Sequence, residues 1–134
     1  MSASAGTKVW HGLIRTHHIT SRKKVAKLKQ AAAVHDVFVL LRSGSSPGIM
    51  YVEGQKSGVE EWVATVQRLR YKDYQLVVRP GAAQRERDID IKNMAAAGLY
   101  ETESVRTFGL QMQARGIFEW WREGMGYTGQ GERF

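Results

Sequence analysis

The segment Ile49–Arg70, IMYVEGQKSGVEEWVATVQRLR, places a strand pattern directly before the clearest helix pattern in the sequence. Its first part, Ile49–Gly54, is rich in apolar and β-branched residues, as strands are. Ser57 and Glu60 match the S-x-x-E capping box, in which two side chains satisfy free backbone donors at a helix start. One apolar face then follows at helical spacing, formed by Val59, Trp62, Val63, Val66 and Leu69. This face predicts a helix that packs on the rest of the fold, with Trp62 buried.

The flanking segments predict the other elements of a split βαβ fold. Strand patterns cover Val9–Ile19, Val37–Arg42 and Tyr74–Pro80, and a helix pattern runs from a cap at Thr20 or Ser21 to about His35. The resulting order, β-α-β-β-α-β, is that of α+β, ferredoxin-like folds. Right-handed connections put both helices on one face of a four-stranded antiparallel sheet and leave the other face open.

The rest of the chain divides into a linker, a further helix and two tails. Residues 9–80 form the predicted ferredoxin-like domain, and residues 81–126 form a charged linker followed by a C-terminal helical extension. The linker includes a predicted short helix near Lys92–Ala97, and the pattern of Phe108–Gly126 predicts a helix that continues through Gly116. We expect residues 1–8 to form a disordered tail and residues 127–134 to form a flexible tail.

Composition narrows the class of protein. The chain has 134 residues, 43% of them hydrophobic and 25% charged, which indicates a soluble globular domain. It has no apolar run of the roughly 18 residues that span a bilayer, so no membrane association is expected. The absence of cysteine excludes disulfides and fits an intracellular protein, nuclear or cytoplasmic. The net charge of +7 favours polyanionic partners.

Motifs for metal binding and catalysis are missing from the sequence. His17 and His18 are adjacent, so within a strand they would point to opposite faces and could not hold one ion together. The serines lie in turns and caps, and no glycine-rich phosphate loop joins a strand to a helix. The acidic residues of Glu86–Asp90 lie in the polar linker, where we expect them to be solvated. We therefore predict a non-enzyme without catalytic residues, metal or cofactor.

Two stretches carry a family resemblance: THHITSRKK (Thr16–Lys24) and PGIMYVEGQKSGVEEWVATVQRLRYKD (Pro47–Asp73). They resemble a domain family with two branches, and the resemblance covers about Val9–Pro80. One branch is the domain that follows the RWD domain in RWD-domain-containing protein type 2. The other is the C-terminal domain of the pre-mRNA-processing factor of the spliceosomal tri-snRNP. The resemblance implies a ferredoxin-like fold, with RNA binding in the splicing branch.

The strand alternation suggests where RNA would bind. If Ile14 and Thr16 face the helices, Arg15 and His17 stand on the open face, and in the same register Tyr51 joins them. A central aromatic residue flanked by cations is how single-stranded RNA is held on sheets of this kind. Tyr51 would stack on a base, and the cations would contact phosphate. The predicted RNA-binding residues are Arg15, His17, Lys23, Lys24, Lys27 and Tyr51.

Two functions of different class remain open from the sequence. The first is a non-catalytic RNA-binding module linked to RNA processing or snRNP assembly, which needs the sheet face to be open. The second is a protein–protein interaction module that docks a partner through the aromatic C-terminal helix, with Phe118, Trp120 and Trp121. A third possibility for this helix is that it covers the sheet face and becomes part of the core.

Overall fold

The computed structural model describes residues 8–90, 94 and 96–127. In chain order the elements are β1 (Trp10–Thr16), α1 (Arg22–Val34), β2 (Phe38–Arg42), β3 (Gly48–Gly54), α2 (Lys56–Arg68), β4 (Gln75–Ala82), β5 (Gly98–Thr102), α3 (Val105–Ala114) and α4 (Phe118–Met125). The fold is α+β and ferredoxin-like with a C-terminal helical extension, as predicted. Most of the two predicted tails lies outside the described residues. Of the predicted helix near Lys92–Ala97, the residues that are described are not helical.

The sheet has five strands in the described part of the chain, in the order β4-β1-β3-β2-β5. The four predicted strands pair antiparallel, whereas β5 pairs parallel with β2. The prediction of a purely antiparallel, four-stranded sheet was therefore wrong, because β5 lies in the segment interpreted as a linker. β4 also continues past Pro80 to Ala82, which an edge strand tolerates because its outer N–H groups need no partner.

The predicted helices form the first core, on one face of the sheet. Trp62 is fully buried there, and its Nε1 donates a hydrogen bond of 3.1 Å to the Leu28 carbonyl, so its predicted burial is confirmed. Ser21 caps α1 as predicted, accepting from the Lys24 amide at 3.2 Å. The predicted capping box of α2 was wrong: the helix already begins at Lys56, which places Ser57 inside its first turn.

The start of α2 is fixed by close packing against the end of α1. A Cβ at Gly58 would lie 2.6 Å from the His35 carbonyl oxygen, so only glycine allows this approach. The N-cap residue of α2, Gln55, makes no side-chain cap hydrogen bond.

The C-terminal helices form a second core on the opposite face of the sheet. Phe108, Met112, Ile117, Trp121 and Met125 are buried against Leu13, Phe38, Leu40, Ile49 and Tyr51. The predicted single helix over Phe108–Gly126 is two helices, which meet at Gly116 with φ of +72°. This turn lets the second helix fold back over β1 and β4 while the first lies over β2 and β5. The sequence left two alternatives for this sheet face, open or covered by the C-terminal helix, and the structure shows that it is covered. No helix in the described ranges is long and apolar enough to cross a membrane.

Candidate nucleic-acid interface

Tyr51 lies where the alternation predicted, on the face opposite α1 and α2, but it is not accessible. The residue is 0% exposed, and its ring packs edge-on against Trp120. Its hydroxyl donates to Glu53 Oε1 at 2.6 Å and lies 3.2 Å from His11 Nδ1. Burial, together with the neighbouring carboxylate, raises the pKa of Tyr51 well above its ordinary value. The prediction that Tyr51 stacks on a base was therefore wrong, because the C-terminal helices occupy the site.

The space beneath these helices contains a buried charge network centred on Glu53. Its carboxylate lies 2.9 Å from Arg115 Nη1 and 3.0 Å from Arg85 Nη2. Burial alone would raise the pKa of Glu53, but the Tyr51 hydroxyl and the two guanidinium groups outweigh it and lower that pKa. The Arg115 guanidinium also lies 3.5 Å from the centre of the Phe38 ring. The side chains of Arg115, Glu53 and Arg85 are 2%, 9% and 14% exposed, so this network lies mostly inside the domain.

The segment before β5 also bonds to the C-terminal helices, which its polar sequence did not indicate. Arg85 Nη1 donates to the Arg115 carbonyl at 2.8 Å, and Glu86 Oε2 accepts from the Glu119 amide at 2.7 Å. These bonds satisfy free backbone groups at the end of α3 and the start of α4. The expectation that the carboxylates of Glu86–Asp90 are merely solvated is wrong for Glu86.

Arg15 and His17 lie at the end of β1, where the chain turns toward α1. Arg15 is exposed and shares the sheet face of Leu13, opposite to the face on which α1 packs. The strand ends at Thr16, so His17 lies beyond it, with Nδ1 3.5 Å from Asp73 Oδ2. His18 is exposed, and its ring centre is 4.6 Å from that of His17. The prediction that the two rings point to opposite sheet faces was wrong, because neither residue is in the strand.

The predicted lysines all lie on the solvent side of α1. Lys23 and Lys27 are exposed and one helical turn apart, and neither has an acidic partner among the described residues. Lys24 is half-buried, with its Nζ 4.7 Å from the ring centre of Tyr71, a cation–π contact. The structure therefore brings the three lysines together, and Arg15 approaches the same end of the domain from the other side of the sheet.

Arg22 differs from its basic neighbours. Its Nη2 lies 2.7 Å from Glu101 Oε1, and its Nη1 donates to the second oxygen at 3.1 Å. This bidentate pair connects the start of α1 to β5. Arg22 is therefore already neutralised, although it belongs to the same basic run.

The distribution of charge along the chain is uneven, which composition alone does not reveal. The first 35 residues contain seven lysines and arginines and no aspartate or glutamate. The rest of the chain contains thirteen of each sign, so the whole net charge of +7 belongs to the segment that forms β1 and α1. The first turn of α1 has no acidic residue, although the helix dipole favours acids there. This end of the domain is suited to bind anions.

Comparisons with known proteins add evidence on the fold. No family model matches the chain, and no curated protein is similar to it. Among solved structures, one named BlrP1 BLUF is similar, with a TM-score of 0.51 and 13% sequence identity. The match covers 83% of this chain and 78% of that one. At this identity the likeness shows the ferredoxin-like fold alone, and it bears on neither branch of the family resemblance described above.

Proposed function

We propose that this chain is a non-catalytic RNA-binding module that contacts phosphates through the exposed face of α1. The observation that carries the proposal is the charge segregation: the entire net charge of +7 belongs to the first 35 residues. Phosphate contacts of this kind position an RNA without reading its sequence. The family resemblance links such a module to RNA processing or snRNP assembly, in the nucleus or the cytoplasm.

The placement of the lysines on α1 supports a role other than helix stability. Like charges at i and i+4, such as Lys23 and Lys27, destabilise a helix by roughly 0.2–0.5 kcal/mol. Lys23 and Lys24, in the first turn, also oppose the helix dipole, whereas Arg22 is already paired with Glu101. Bound phosphates would remove both penalties, because they neutralise the lysines and accept from the N-terminal amides.

The mode of binding differs from the one that the sequence suggested. With Tyr51 buried, the predicted base-stacking residue is not accessible, so affinity would come mainly from charge. Arg15 is exposed and has no partner among the described residues, so its planar fork is free to pair with a phosphate at the end of the sheet. His17 and the lysines would extend this contact toward α1.

A second candidate is docking of a partner protein, but at a different surface from the one predicted. Trp121 is 0% exposed, and Trp120 stacks on His11, so the aromatic side of α4 is used within the domain. Tyr100 on β5 and Leu110 on α3 remain 41% and 49% exposed. They lie beside the free edge of the sheet, where partner chains are added in many complexes.

Fluorescence anisotropy with labelled RNA separates these two candidates. Two single-stranded RNAs of unrelated sequence are titrated at low and moderate salt. We expect similar affinity for both RNAs, falling with salt at a slope of about −0.7 per neutralised phosphate. Absence of binding at low salt would exclude the RNA proposal. Binding that does not change with salt would exclude phosphate contacts as its basis.

A further inference from the structure

A cleft on the other side of the sheet from α1 is lined by acidic and aromatic residues, in contrast to the basic surface of α1. It lies beside α4 and the end of β4, has a volume of about 390 Å³, and is half-open to solvent. The groups that define it are His11, Glu86, Glu119, Trp120 and Glu123. Three carboxylates, an indole ring and an imidazole therefore meet here, in a protein whose net charge is positive.

The hydrogen-bond network fixes which nitrogen of His11 carries the proton. The Tyr51 hydroxyl has one hydrogen, which it donates to Glu53 Oε1 at 2.6 Å. The Tyr51 oxygen can then only accept from His11 Nδ1, 3.2 Å away, so Nδ1 bears the hydrogen. Burial lowers the pKa of His11 to about 4, and the positive charge of Arg85 contributes to the decrease. The negative charge of Glu53 raises this pKa but is outweighed. The ring is therefore neutral at pH 7.

The other ring nitrogen of His11, Nε2, is consequently a hydrogen-bond acceptor. Nε2 carries a lone pair and has no hydrogen bond to any described residue, while the residue is only 3% exposed and lines the cleft. An acceptor on the wall of a cleft can receive a hydrogen bond from a donor that enters the cleft. A ligand that donates a hydrogen bond at this point would satisfy it.

The remaining walls of the cleft also favour positive charge. Glu123 has no partner among the described residues. Glu119 Oε1 lies 3.2 Å from Arg122 Nη2. One face of the Trp120 ring is covered by His11, with ring centres 3.8 Å apart. The rest of the indole borders the cleft, and an indole is the aromatic ring that attracts cations most strongly.

We propose that this cleft binds a compact organic cation that carries N–H donors, an ammonium or guanidinium group. The charge would lie among Glu119, Glu123 and the indole of Trp120, and one N–H would donate to His11 Nε2. Such a group occurs in free amines and in lysine or arginine side chains of a polypeptide. The site is separate from the basic surface of α1 and does not depend on the RNA proposal.

Calorimetric titration with matched cations tests this site. The probes are agmatine, N-acetyl-arginine amide and tetramethylammonium, which has the charge but no N–H. We expect the first two to bind and tetramethylammonium to bind at least about tenfold more weakly, because it cannot donate to His11. Tighter binding of agmatine would indicate a free amine as the natural ligand, and tighter binding of the arginine derivative a polypeptide.

Variants show whether binding occurs in this cleft. Glu123→Gln, an exposed change that should not affect folding, is expected to weaken agmatine binding by about tenfold. Glu60→Gln on α2 removes the same charge elsewhere on the surface and should leave binding unchanged. Trp120→Phe should also weaken binding. The proposal is overturned if neither agmatine nor the arginine derivative binds, or if Glu123→Gln and Glu60→Gln bind them equally well.

Discussion

Arg115 and Glu53 form an ion pair of 2.9 Å between Nη1 and Oε2, in which both side chains are buried between the sheet and the C-terminal helices. Glu53 belongs to β3, whereas Arg115 follows the end of α3, 62 residues later. Arg115 Nε is buried without a hydrogen bond, and Arg85 adds a second guanidinium to the same carboxylate. The only negative charge of this buried network is therefore Glu53, on which both arginines depend.

Neutralising Glu53 should accordingly be costly. In Glu53→Gln two guanidinium groups would lose their carboxylate, and breaking a buried pair in this way costs roughly 3–5 kcal/mol. Equilibrium unfolding in urea measures the loss, and Glu123→Gln, an exposed change, should stay within about 0.5 kcal/mol of the wild type. The double variant Glu53→Gln with Arg115→Met should lose less than the sum of the two single losses. A loss below about 1 kcal/mol for Glu53→Gln would show that the network contributes little to stability.

Removing the Tyr51 hydroxyl tests the link between this network and His11. In Tyr51→Phe the His11 Nδ1–H loses its acceptor and Glu53 loses a donor, while the ring packing is retained. Leaving a buried polar group unsatisfied costs roughly 1–3 kcal/mol. The matched control is Tyr100→Phe, whose hydroxyl bonds the Ala96 carbonyl at the surface and should matter less. Equal unfolding free energies for the two variants would contradict the network as described.

The parts of the fold that the sequence predicted are those governed by local periodicity. Alternation in β1 and β3 assigned Ile14 and Met50 to one face and Tyr51 to the other, and the helical period identified Trp62 as core. The exposed lysines of α1 followed from the same period. What the sequence could not show is which surface a distant segment covers, and so Tyr51 was assigned to a surface that α4 occupies.

The features of the fold that the sequence did not predict have specific physical causes. β5 is short, lies at an edge and has exposed residues such as Tyr100 and Glu101, so no apolar alternation marks it. The α2 start depends on the close backbone approach of Gly58 to His35, which no capping pattern reveals. The Arg115–Glu53 pair joins residues far apart in the chain, and nothing in either local sequence indicates the partner.

Replacing Lys23 and Lys27 by glutamine tests the basic surface directly. Affinity for every RNA sequence should fall alike, and the salt slope should flatten by about 0.7 for each phosphate that is no longer neutralised. The control removes two charges elsewhere, with Lys56→Gln and Arg106→Gln, and should change both quantities less. The lysine variant should also be slightly more stable to heat, since it lacks the like-charge pair. If the two double variants weaken binding equally, net charge alone accounts for it and α1 is not the contact surface.

The pH dependence of stability should report on His11. Its folded pKa, about 4, lies below the ordinary value of 6.5, so between these values the unfolded chain binds a proton that the folded chain does not. Stability is therefore highest above pH 6.5 and decreases as the pH falls toward 4. Glu53, whose folded pKa is lowered from 4.5, adds its own loss only below about that pH. Between pH 6.5 and 4.5 Glu53 does not yet contribute, and a loss of about 2–3 kcal/mol is expected from His11.

Urea unfolding at half-unit steps of pH measures this loss. In His11→Phe, which keeps an aromatic ring against Trp120 but cannot titrate, the decrease between pH 6.5 and 4.5 should largely disappear. A His11→Phe variant that loses stability over this range as steeply as the wild type would show that His11 is accessible to protons in the folded state. In that case His11 would not be the neutral, Nδ1-protonated ring that the Tyr51–Glu53 network requires.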